Sequence, residues 1–167
     1  MDPKDFVHLH VHSHFSLLQA LPSPKALVSR AKEQGAKALA ITDNGVLYGA
    51  VAFYQACRDA EITPIIGLDM YIAQNRMTDK RGRIDDRPYR LPILALNDAG
   101  YKNLLKISSA GFLEGFYYKP RVDKEFLRSH AEGLVAMSGS LNGEIPKALA
   151  MDNLEQAAEL AHEYEDI

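Results

Sequence analysis

The order in which short apolar runs and helical patterns alternate constrains this chain more than any single residue does. Ala38-Leu39-Ala40-Ile41-Thr42 is short and almost wholly apolar, which suits a strand covered on both faces. The run Pro64-Ile65-Ile66-Gly67-Leu68, the segment Tyr89 to Leu96 and the run Gly133-Leu134-Val135-Ala136-Met137 read as further strands. Ser23-Pro24 marks a helix start, with Ser as N-cap and Pro at the first helical position, and Gly35 marks its stop. Further helical patterns run from about Gly49 to Ala60, from Ala99 to Phe112 after an Asn97 cap, from Asp123 to His130, and from Asn153 onward. Asp43-Asn44-Gly45 reads as a tight turn, and the stretch 74–87, rich in Arg, Lys and Asp, as a solvated loop. Strand, helix, strand, helix with short joins predicts a parallel sheet in an α/β barrel or open sheet. Sites in such folds lie at the carboxyl ends of the strands.

Polar residues gather where that rule puts a site. His12-Ser13, Asp43-Asn44, Asp69, and Ser138 with Ser140 each follow a strand. The first strand, about Phe6 to His12, places His8, His10 and His12 on one face and Val7, Leu9 and Val11 on the other. Imidazoles side by side make a poor core and a good beginning for a metal site. The alternative is that His10 and His12 are hydrogen-bonded to Asp43, Asp69 or backbone.

Bulk properties exclude several classes. With 167 residues the chain can hold a real core, and a net charge of -3 argues against an overall electrostatic grip on nucleic acid. Cys57 is the only cysteine and falls in an apolar helical pattern, so a buried thiol is expected. No apolar run approaches the ~18 residues of a membrane span, and the N-terminus is no signal peptide. These features predict a reduced, cytoplasmic protein. The last helix lacks a stop signal and only five strands can be counted, so the chain reads as a piece of a longer protein.

Several runs carry a resemblance: His8-Leu9-His10-Val11-His12-Ser13-His14, the stretch from Ala40 to Tyr54, the stretch from Pro64 to Asp69, and the segments 94–108, 114–123 and 132–146. Together they resemble the N-terminal PHP (polymerase and histidinol phosphatase) domain of bacterial replicative polymerase III α subunits. The resemblance implies an α/β fold of PHP type, a distorted (β/α)7 barrel of which residues 1–167 supply about the first five β/α units. Members with an intact site hold up to three metal ions and hydrolyse phosphoesters, in some polymerases as a 3′–5′ proofreading exonuclease.

The family's ligand pattern can be carried over position by position. The opening pair is kept as His10 and His12, and a Glu becomes Asp69. Other ligand positions fall at Gln19, at Asn44 next to Asp43, at Arg90 and at Ser140. Amide and hydroxyl oxygens are weak ligands for a transition metal, and Arg90 brings a fixed positive charge. The resemblance therefore implies a remnant metal site (His10, His12, Asp69) beside a vestigial pocket (Gln19, Asp43, Asn44, Arg90, Ser140). Arg90 is expected to take the vacated metal position and pair with Asp43 or Asp69.

The implied parent is a DNA-directed DNA polymerase, a nucleotidyltransferase that uses Mg²⁺ and deoxynucleoside triphosphates in bacterial DNA replication. None of its polymerisation residues is expected in this chain. No cofactor is expected here, with Zn or Mn required only if the site works. Expected partners are other replicative subunits, such as a proofreading exonuclease, and DNA through the parent. The alternatives are an active metal-dependent phosphoesterase or exonuclease, and a free-standing PHP phosphatase. The Lys80-Arg81-Gly82-Arg83 cluster reads as solvated rather than DNA-binding, because Asp79, Asp85 and Asp86 interleave it. Lys119-Pro120-Arg121 fits either phosphate binding or the bracing of a loop.

Overall fold

A computed structural model describes residues 6–167. The chain divides into two compact units that meet at Asp69 and Met70, within one strand.

The first unit is built on helix α1 (Pro24–Glu33), strand β1 (Ala38–Ile41), helix α2 (Ala50–Asp59) and the first part of β2 (Thr63–Ile72). Ser23 Oγ accepts the Ala26 N–H at 3.2 Å with Pro24 next to it, as its sequence predicts, and Gly35 takes φ +74 just past the helix. β1 and β2 pair in parallel from Ala38 opposite Thr63 to Ile41 opposite Ile66, with α2 as the crossover. Val28 and Ala31 of α1, Leu39 and Ile41 of β1, Phe53 and Cys57 of α2, and Ile62 form the core between them. Burial pushes the Cys57 thiol up to about 11, so it stays protonated and inert.

Two expectations about this unit are corrected. Residues 6–12 form no regular strand, and the chain bends at His10. The Ala40 N–H donates to the His8 carbonyl and the Thr42 N–H to the Val11 carbonyl, while the Val11 N–H goes to Thr42 Oγ1. Three residue steps thus face two, an irregularity of bulge type that breaks strict alternation and leaves Leu9 exposed. Asp43-Asn44-Gly45 is no tight turn either. Asn44 forms a parallel bridge with Asp69, flanked by bonds from the Asp69 N–H to the Asp43 carbonyl and from the Gly45 N–H to the Asp69 carbonyl. The chain leaves β2 only at Gly45, where φ +68 suits glycine.

The second unit contains the end of β2, β3 (Tyr89–Ala95), α3 (Asp98–Leu113), β4 (Arg121–Val122), α4 (Lys124–Arg128), β5 (Leu134–Ala136), α5 (Glu144–Ala150) and α6 (Leu154–Glu165). β4 runs parallel to β2, with Tyr71 opposite Arg121. β5, by contrast, is antiparallel to β3, with Leu94 opposite Val135, so the sheet is mixed rather than wholly parallel. Neither the two-residue β4 nor α5 is visible as a pattern in the sequence, both being too short to show a period. Asn97 caps α3 as expected, accepting the Gly100 N–H at 3.0 Å. Gly100 has to be glycine, since a Cβ there would run into the Gly133 carbonyl. On α6, Ala157 is buried and Leu154 is exposed. Lys124 ties α4 to α5 and α6 through Glu144 (2.8 Å) and Glu163 (2.5 Å).

The segment 74–87 has no helix or strand, but it is not merely solvated. The fully buried Arg121 holds it: Nη1 donates to the Asp85 carbonyl (2.6 Å), and Nη2 to the carbonyls of Met77 (3.0 Å) and Asp79 (2.8 Å). Nε donates to the Gly115 carbonyl at 3.0 Å. For Arg121, bracing is therefore the reading that holds, and phosphate binding is not, because its donors are spent on carbonyls in the interior.

Asp85 is buried in the same loop, and its carboxylate accepts from the Arg81 side chain and backbone N–H and from Asn75. Chiefly the Arg81 side-chain hydrogen bond draws it down to about 2, against the burial that would raise it. A depressed carboxylate stabilises the folded state above its unfolded value of about 4, and that contribution disappears as pH falls through about 2. The loop is expected to lose protection from proteolysis between those pH values, and Asp85→Asn is expected to remove the transition. Limited proteolysis across that pH range, comparing both chains, checks this.

Candidate functional site

In the first unit, three chemistry-bearing side chains converge. His10 and His12 come from the segment ahead of α1, and Asp69 from β2. His10 Nε2 lies 2.8 Å and His12 Nε2 3.3 Å from the same Asp69 oxygen, Oδ2. One donor atom from each residue falls within 4.8 Å of the others, with Asp69 buried and both imidazoles partly open to solvent. The rings meet edge to face at 4.9 Å between centroids. His8 is exposed and packs edge-on against Phe6, and His14 lies exposed against Phe15.

Asp43 anchors the chain that follows. Its buried carboxylate accepts the Ser13 N–H (2.7 Å) and the Ser16 hydroxyl (2.6 Å) on Oδ1, and the Ser13 hydroxyl (2.7 Å) on Oδ2. Ser13 Oγ in turn accepts the Phe15 N–H, and Ser16 Oγ the Asn44 N–H. The turn after His12 is thereby fixed to the end of β1. A bond from the His14 N–H to the Pro22 carbonyl closes the loop that follows, leaving Leu17, Leu18 and Leu21 exposed.

Gln19 and Asn44, the two amides in ligand positions of the family pattern, are also brought together. Asn44 Nδ2 donates to Gln19 Oε1 at 2.7 Å. Arg90 and Ser140 belong to the second unit. There the Arg90 guanidinium lies over the Tyr71 ring, 4.9 Å from its centroid, and the Arg90 N–H donates to the Asn142 carbonyl. Ser140 is exposed on the adjoining loop. Ser16 was not foreseen, since its partner lies 27 residues away and no local pattern marks the pair.

Two imidazole nitrogens and a carboxylate oxygen at this separation fit a single transition-metal ion with an open position. The two imidazoles also hydrogen-bond to that carboxylate, both through its Oδ2. No helix among the described residues is long and apolar enough to cross a membrane.

The chain belongs to the PHP domain family, which matches residues 8–167. DNA polymerase III subunit alpha of Treponema pallidum is 45% identical over 160 residues, covering 95% of this chain and 14% of that protein. The Thermus aquaticus subunit is 44% identical over 91% of the chain, and the Aquifex aeolicus subunit 38% identical over 98%. The chain spans only 13–15% of the length of these three relatives. Its mixed α/β elements are those of part of a PHP-type (β/α) barrel.

Proposed function

We propose that this chain is the N-terminal PHP region of a bacterial replicative DNA polymerase, which extends primers from deoxynucleoside triphosphates. Within it, residues 1–167 act as a metal-depleted structural module that offers a surface to other polymerase subunits, a proofreading exonuclease among them. The observation that carries this reading is the identity with polymerase III α subunits across more than nine-tenths of the chain.

The amide pair supports the loss of the metal centre. The Gln19 oxygen accepts the Asn44 amide, and amide oxygens are in any case weak ligands for a transition metal. On this reading His10, His12 and Asp69 are the remnant of the site, with Asp43, Gln19 and Asn44 beside them in the same unit. The polymerisation carboxylates and their Mg²⁺ belong to other parts of the parent.

A second reading rests on the cluster itself. His10, His12 and Asp69 would hold one Zn or Mn ion, and such an ion supplies a hydroxide at neutral pH for phosphoester hydrolysis. The two readings separate in the natural full-length protein carrying His10→Gln and His12→Gln. Primer extension is expected to remain within about twofold of the parent, since the polymerisation carboxylates lie elsewhere in the parent and distant sites with no shared partners couple weakly. A metal-dependent 3′–5′ hydrolysis that disappears in the variant would establish the second reading instead.

A further inference from the structure

We propose that the loop 76–87 and the turn 117–119 form a contact surface for the phosphate backbone of DNA. Across these two segments, Arg76, Lys80, Arg81, Arg83, Arg87 and Lys119 are all exposed. Of the interleaved acids, Asp85 is buried, Asp79 and Asp86 are half-buried, and Arg81 engages both Asp79 and Asp85. Six exposed cations thus stand against three acids, of which Asp85 is buried and Asp79 is paired with Arg81, on a chain of net charge -3. Such a local excess attracts a polyanion even where the whole protein does not.

The surface is also preorganised. Arg121 grips the carbonyls of Met77, Asp79 and Asp85 from inside while holding that of Gly115, so the loop and the 115–121 segment share one anchor. The loop tip lies on the turn, since a Cβ at Gly82 would sit 3.9 Å from the Tyr117 hydroxyl. On that turn Tyr118 is exposed, with φ +58, a conformation uncommon for a tyrosine. Fixed cations beside an exposed aromatic ring suit phosphates together with an unpaired base that can stack. Choosing DNA among polyanions rests on the polymerase reading above.

The test uses the natural full-length protein and iododeoxyuridine-substituted primer–template DNA. Photo-crosslinked peptides are expected from 117–119 or 76–87. The Lys80→Glu/Arg83→Glu variant is expected to reduce that crosslinking on the order of tenfold and the logarithmic salt slope of binding by about 1.5. Lys25→Glu/Lys32→Glu, an equal charge change on exposed α1 positions, is expected to alter neither. Adducts confined to other peptides, or equal effects from both variants, would overturn the proposal. Primer extension in the same preparations reports separately on the polymerase reading.

Discussion

Replacing Arg121 with methionine is expected to destabilise the second unit by about 4 kcal/mol. Methionine fills much of the volume but offers no donor, so the carbonyls of Gly115, Met77, Asp79 and Asp85 lose their partner. Leaving a buried acceptor unmade costs roughly 1–3 kcal/mol, reduced where water can reach it. Two of the four carbonyls can find solvent once the loop loosens, and the others bear the cost. Arg121→Lys is expected to recover little, because one ammonium cannot reach acceptors arranged around a planar fork. Urea unfolding should show a lowered midpoint at unchanged slope, with proteolysis entering at 74–87. A midpoint within experimental scatter of the parent would mean that the guanidinium is not what holds the loop.

Asp43→Ala is expected to cost about 4 kcal/mol in the first unit, and to release the turn that follows His12. The substitution strands the Ser13 N–H and two serine hydroxyls in a buried site, after each had bonded to a charged acceptor at 2.6–2.7 Å. Asp43→Asn is the informative companion. Its oxygen can keep the Ser13 N–H, but its amide then donates to Ser13 Oγ, and that hydroxyl proton needs a new acceptor. About half the loss should return. Hydrogen exchange at the Ser13 and Ser16 amides should rise in the alanine variant and stay closer to the parent in the asparagine one. Equal stability of parent and Asp43→Ala would contradict the role given to this carboxylate.

Local signals were legible where the partners lie close in sequence. Ser23-Pro24 and Asn97 declare helix starts because a cap and its amide are three residues apart, and the apolar runs declare β1, β2 and β3. The antiparallel docking of β5 was not legible, since an apolar run carries no direction. Nor was Arg121: its acceptors are backbone carbonyls up to 44 residues away, which have no residue identity to read. The acidic residues of the 74–87 loop look solvated in a string, yet Asp85 turns inward. At the candidate site, the pattern of kept and replaced positions picked out His10, His12 and Asp69, which the structure brings together around one oxygen. That Gln19 and Asn44 satisfy each other could be seen only in three dimensions.

A PHP site that is only a remnant, as proposed above, should hold no metal ion in the purified protein. Elemental analysis of the natural full-length protein, purified with Zn and Mn supplied and then dialysed, tests it most directly. The expected result is Zn and Mn well below one ion per chain, unchanged by His10→Gln/His12→Gln. One or more ions per chain in the parent, lost in that variant, would contradict it.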